Sequence, residues 1–230
     1  MSVLIEALER FEYWLWHNHP EIADSLPSGL TVEEINDMAK ALPFSLSTEI
    51  KELYQWRNGS FYGFATLSNY CDEVLGFMPL ERAIELTYEC EHITEWVNLP
   101  CFYMFPEYER WVHFAVCDEE EKSPILVVTD DPYTKLSYTS ITSMVLTTVE
   151  CYEKEIVLFG EYGRTKFNDS LTSEFLYRDS DDINEYLVDE YLDAREEFEK
   201  ILNQNNSLLK KEAIIKKYNM NENGFIDRSR

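Results

Sequence analysis

The sequence predicts an α+β fold: helices on either side of a run of short strands, with a C-terminal helical extension. Three observations carry this. Apolar residues recur at helical spacing before Ser60, aromatic and β-branched residues broken by turn formers take over between Ser60 and Thr129, and helical spacing returns from Ser140 onward.

Leu4, Leu8, Phe11 and Leu15 place one apolar stripe on a helix over residues 3–16, which His19-Pro20 helps to end. After Pro27-Ser28-Gly29, Thr31 stands three residues before Glu34, a capping-box pair opening a helix that carries Ile35, Met38 and Leu42 and is stopped by Pro43. A third helix runs from about Ser45 with Leu46, Ile50, Leu53 and Tyr54 on one face, closed by Asn58-Gly59. Residues 60–78 read as short strands and turns around Gly63, Asn69 and Gly76, and Pro79-Leu80 starts a helix reaching toward Trp96. The runs 111–117 and 125–129 read as neighbouring antiparallel strands joined by the acidic turn Asp118 to Lys122.

Ser140 caps a helix on which Ile141, Met144, Val145, Thr148, Val149 and Tyr152 share a face, with Ser143, Thr147 and Glu150 pointing the other way. Residues 164–180 form a polar connection. Ile183, Leu187, Tyr191, Ala194, Phe198 and Ile201 then mark an amphipathic helix in need of a packing surface, and a last helix spans about 207–218. The expected organisation is one domain over residues 1–165, with 166–230 supplying a connection and helices packed on it.

Length and composition suit one sizeable core, since 45% of the 230 residues are hydrophobic. The balance of 44 Asp and Glu against 20 Lys and Arg, a net charge of -24, repels nucleic acid and anionic membrane and favours encounter with a basic partner. Five cysteines at 71, 90, 101, 117 and 151 form no C-x-x-C pair and leave one over, which points to buried, reduced thiols. Glu6 and Glu9 interrupt the N-terminal apolar run, and no run reaches bilayer-spanning length, so the expected location is the cytoplasm.

Two blocks carry a family likeness. LPFSLSTEIKELYQWRNGS, residues 42–60, with GLTVEEI at 29–35 in the same frame, resembles the Leu-Pro, helix, Tyr, Asn-Gly signature of the SUKH superfamily, which takes in yeast cell-wall assembly regulators and many bacterial proteins. SYTSITSMVLTTVECYE, residues 137–153, is similar to the helix ending in Glu-Cys-Tyr of its bacterial members, with Ile141 where Leu is usual. The resemblance covers about residues 25–160. Lys154-Glu155-Ile156 departs from it, standing where relatives often have a Gly-containing turn into a final strand. It implies an α+β domain with a SUKH-like twisted, largely antiparallel sheet flanked by helices, one that binds proteins rather than catalysing a reaction. In bacteria the implied role is immunity, neutralising a toxin that is often a nuclease. Leu42, Pro43, Tyr54, Trp56, Asn58, Gly59, Met144, Glu150, Cys151 and Tyr152 of these blocks explain themselves as fold markers, because helix ends and core packing account for them.

Catalysis finds no foothold: there is no Gly-rich phosphate loop, no G-x-S-x-G turn and no His-rich metal spacing, so no catalytic residue, cofactor or metal is expected. His17-x-His19 falls at a helix end, His92 and His113 lack local partners, and Cys151 reads as a buried helical thiol. At the C-terminus, Asn219, Asn221, Asn223, Gly224, Ile226 and Asp227 fall at calcium-loop positions, but Asn replaces the early carboxylates and Arg230 stands where Glu closes the shell. A solvated tail capped by Asn223-Gly224 is expected instead. The partner surface is sought in the acidic stripe Asp182, Glu185, Asp189, Asp193 and Glu196, then in the turn Asp118, Glu119, Glu120 and Glu121. From Leu208 onward six basic and three acidic residues offer an internal alternative, a tail folding back onto that stripe.

Overall fold

In the structure, a computed structural model that describes residues 1–64, 75–90, 99–105, 112–128, 133–159, 165–167, 196–206, 211–221 and 224–227, local capping chemistry starts the helices. Ser2 accepts a hydrogen bond from the Ile5 N–H and opens α1, Val3–Asn18. Its buried face is the expected one, Leu4, Leu8, Phe11 and Leu15, with Ala7 added. Pro20 does more than end α1, because its fixed φ suits a first helical position and a short α2 follows, Pro20–Ser25. Thr31 and Glu34 form both bonds of the capping box ahead of α3, Val32–Ala39. This helix stops four residues before Pro43, in turns closed by Ala41 N–H to the Met38 carbonyl and Leu42 N–H to the Ala39 carbonyl. Pro43 is therefore not its terminator.

Ser47 caps α4, Thr48–Trp56, whose buried stripe holds Ile50, Leu53 and Tyr54. The helix closes at Arg57 in an extended conformation rather than at Asn58-Gly59. That pair serves the next junction instead. Asn58 Oδ1 accepts from the Leu80 N–H at 2.9 Å, and Gly59 has φ +92°, where a Cβ would lie 2.7 Å from the Pro79 nitrogen. A close approach also explains Gly29, since a Cβ there would fall 1.8 Å from the Gln55 carbonyl oxygen.

Strands β1, Ser60–Phe64, and β2, Leu75–Phe77, pair antiparallel. Helix α5 runs over Leu80–Glu89, and the expected continuation toward Trp96 lies outside the described residues. The main sheet has the order β3-β4-β5-β6-β9, built from β3, Cys101–Phe102, β4, Val112–Val116, β5, Ile125–Val128, β6, Tyr133–Tyr138, and β9, Phe225–Asp227. Every neighbour in it is antiparallel. The chain is an α+β protein.

Both faces of this sheet are covered, which explains why β4 and β5 read as continuous apolar runs. Ala115, Cys117 and Ile125 join the larger core with α1, α4 and α6, Ile141–Glu153. Phe114, Val116, Leu126, Val128 and Leu136 face the second core, where Leu86 of α5 meets Tyr218 and Met220. Between α1 and α6, Tyr152 stacks on Trp14 and Phe11 at centroid distances of 4.7 and 5.8 Å.

The second half departs from expectation in three ways. Ser143 and Thr147 do not face solvent: both are buried, because the helical residues 196–206, here α7, cover that side of α6 with Phe198 and Ile201 in the core and Asn205 Nδ2 donating to Thr147 Oγ1 at 3.3 Å. The polar connection contains β8, Thr165–Phe167, a hairpin partner of β7, Val157–Phe159. And the C-terminus is no solvated tail. After α8, Lys211–Lys217, Asn221 Oδ1 accepts from the Phe225 N–H, Gly224 takes φ +80°, and β9 adds to the sheet beside β6. The helix expected over 207–218 is described only as α8, with 207–210 outside the described residues.

A strand follows α6 despite the missing glycine, because Glu155 itself takes φ 55° in the left-handed region. That conformation costs a residue bearing a Cβ roughly 1–2 kcal/mol, of which glycine's greater unfolded-state freedom returns part. Glu155→Gly is expected to raise unfolding free energy by about 0.5–1 kcal/mol in urea titrations, and a loss of stability would show that the turn is not strained there.

Candidate functional site

One buried carboxylate organises the chemistry of the interior. Glu49 lies in the first turn of α4, on the side of the apolar stripe rather than the solvent side, and is only 5% exposed. Its Oε2 accepts from the N–H groups of Ser123 and Ile141 at 3.0 and 3.1 Å, and its Oε1 accepts from the N–H of Thr142 at 3.3 Å and its hydroxyl at 2.6 Å. Ile141 and Thr142 open α6, so Glu49 supplies an anion to the N-terminus of a helix that is not its own. Burial pushes this carboxyl above its ordinary range, against four hydrogen bonds that favour the ionised form. Ser123 also donates its hydroxyl to Ser47 Oγ at 2.8 Å.

The acidic turn is built on the same cluster. The Glu120 and Glu121 carbonyls accept from the N–H groups of Thr48 and Glu49, so the turn's backbone closes the start of α4. Its side chains divide. Lys217 Nζ reaches Asp118 at 2.9 Å and Glu119 at 2.6 Å, and Tyr218 donates its hydroxyl to Asp118 at 2.6 Å. Burial opposes the Lys217 charge, but these two carboxylates outweigh it and hold the ammonium above its usual value. Burial, then the bond to Asp118, pushes the Tyr218 phenol up. The basic tail thus folds onto the turn 118–119, and Glu120 and Glu121 remain exposed. Of the acidic stripe, Glu196 is exposed at the start of α7, while Asp182, Glu185, Asp189 and Asp193 lie outside the described residues.

Several groups with nucleophilic or acid-base potential are buried. Cys90, Cys101, Cys117 and Cys151 are buried, and Cys71 lies outside the described residues. Burial pushes the thiols of Cys117 and Cys151 up to about 12, far from the range of a thiolate nucleophile. On β4, His113 is 2% exposed, with neither ring nitrogen hydrogen-bonded among the described residues and the ring of Phe105 edge-on at 6.4 Å. Burial lowers its pKa to about 4. Among the described residues no three His, Cys, Asp or Glu side chains converge as a metal site.

The motif residues sit where packing needs them. Tyr54 is fully buried and donates to the Met78 carbonyl at 3.0 Å, Leu42, Met144, Cys151 and Tyr152 are core, and Trp56 Nε1 donates to Glu12 at 2.7 Å. Glu150 is half-buried and paired with Lys154 at 2.9 Å. The sequence reading missed Glu49 and the pair Asn205-Asn206, whose Asn206 Oδ1 accepts from the Thr139 N–H at 3.0 Å. A signal for Glu49 existed: it stands three residues after Leu46 and four before Leu53, on the buried side of its helix.

Glu49→Ala orphans two buried N–H donors and a half-buried one and is expected to cost about 3–4 kcal/mol in denaturant unfolding, with Glu49→Gln costing about 2 because one acceptor survives. An Ala variant within 1 kcal/mol of the parent would contradict the hub. For His113 the folded pKa lies below the free value, so its contribution is complete above pH 6.5 and is lost as pH falls toward 4. Unfolding measured across that window should show a loss of up to about 3 kcal/mol that His113→Leu removes, and identical pH profiles would refute it.

No protein-family model matches this chain, and no curated protein matches it.

Proposed function

We propose that this chain is a non-enzymatic protein-binding domain of SUKH type, an immunity protein that neutralises a basic toxin, possession of a nuclease activity by that toxin fitting the charge best. The observation that carries the reading is the division between interior and surface. His113, Cys117 and Cys151 are sunk in the core, whereas the chain as a whole carries a formal net charge of -24. A protein that binds nucleic acid carries the opposite charge, so a domain acidic enough to compete with it for a basic face suits the role of a decoy.

A regulatory or scaffold module of the cell-wall-regulator kind is the second reading. It shares the fold signature and differs in needing no toxin. An enzyme of another kind is the third, and would need a cleft in which polar groups converge. No helix among the described residues is long and apolar enough to cross a membrane, and the proposed place of action is the cytoplasm.

Expression beside a co-encoded toxin tests the first reading: rescue of growth by this chain supports it, and undiminished killing removes it. With the toxin in hand, Asn and Gln replacements at Asp182, Glu185, Asp189 and Asp193 are expected to slow association several-fold at low salt and little at high salt, where the Debye length falls to about 3 Å. Unchanged association at every salt concentration would move the contact away from that stripe.

A further inference from the structure

Helix α1 needs one face for the core, yet it carries large aromatic side chains on the other. Tyr13 and Trp16 are 66% and 47% exposed, three residues apart and outside the stripe Leu4, Leu8, Phe11 and Leu15 that packs against α6. Neither is needed to bury that stripe. The Tyr13 ring lies 4.0 Å from the His17 ring, and His17 Nδ1–H donates to the Tyr13 carbonyl at 2.8 Å, so the pair is held in place before any partner arrives.

Two carboxylates share that side of α1. Glu9 stands one helical turn before Tyr13 and Glu6 one turn further, and neither has an ion pair among the described residues. Arg10, on the same side of α1, does not neutralise them because its guanidinium is held by both carboxylate oxygens of Glu153.

We propose that the Tyr13–Trp16 face of α1 is a docking surface for an arginine-bearing basic segment of a protein partner. This deepens the protein-binding reading and rests on it. A guanidinium is planar and weakly hydrated, so it can stack on an indole or phenol while donating to a flanking carboxylate, whereas an ammonium acts as a point charge. Exposed Trp and Tyr with an acidic border are therefore complementary to Arg in both shape and charge. A second copy of the chain fits poorly, because two molecules of charge -24 repel and α1 against α1 would bring Glu6 and Glu9 toward their own kind.

The test uses the full chain with fluorescein-labelled hexa-arginine and hexa-lysine as probes, read by anisotropy at low salt. Hexa-arginine is expected to bind several-fold more tightly than hexa-lysine. Trp16→Ala and Tyr13→Ala should each weaken it about three- to fivefold, with Trp16→Phe intermediate. Glu9→Gln should weaken it more than Glu33→Gln, which makes the same charge change on the exposed first turn of α3. Unchanged binding in both aromatic variants, or equal effects of the two Gln variants, would mean that the whole molecule's charge attracts the probe, and would overturn the proposal. So would sedimentation showing a dimer that Trp16→Ala dissociates, since a second copy would then occupy the face. Failure of toxin rescue alongside an intact Trp16 effect would instead strike the toxin reading and leave this surface standing.

Discussion

The Glu49 carboxylate is the point on which three separate parts of the chain converge. It sits at the start of α4, accepts from the first two N–H groups of α6, and accepts from Ser123 at the entrance to β5. Each of those donors is buried or half-buried and would otherwise face a desolvation cost of about 1–3 kcal/mol. Helix ends leave N–H groups without intrahelical partners, and two such ends meet here. The Glu120 and Glu121 carbonyls serve α4 while the Glu49 carboxylate serves α6. The placement of α4 against α6, and of both against the β4–β5 turn, follows from satisfying these groups together.

The second constraint is the sheet's need for cover on both faces. Helices α1, α4 and α6 supply one cover and the C-terminal segment the other, while α5 serves both, with Leu80, Ala83 and Ile84 in the first core and Leu86 in the second. Helix α8 has seven residues, too few to persist alone in water. It is held by Tyr218 and Met220 in the second core, by Lys217 on the acidic turn, and by β9 on the edge of β6. The residues after α8 therefore complete the architecture that the first part of the chain begins. This arrangement also occupies Asp118 and Glu119, so part of the acidic surface is balanced from within.

Function, on the reading proposed here, follows from where polarity was placed. The interior spends its buried polar groups on joining elements, as with Glu49, Ser47, Thr139 and Asn206. The thiols of Cys117 and Cys151 are held protonated and His113 is held neutral by burial. What the molecule offers outward is charge and, on α1, two aromatic rings. Such a surface suits association with a basic protein, where long-range attraction raises the encounter rate and a stacked contact lengthens the stay.

Sequence alone determined the features whose causes are local. The buried stripe of α1, the Thr31–Glu34 capping box, the Ser140 cap and the β4–β5 pairing all depend on residues within a few turns or one short loop of each other, and each was legible. Tertiary structure decided the rest. The solvent face expected for Ser143 and Thr147 was reversed by α7, more than fifty residues away, and the tail became a strand because β6 had an unpaired edge ninety residues earlier. Glu49 was the hardest to see. Its partners are mainly backbone N–H groups, which every residue but proline carries and which leave no mark in the amino-acid sequence.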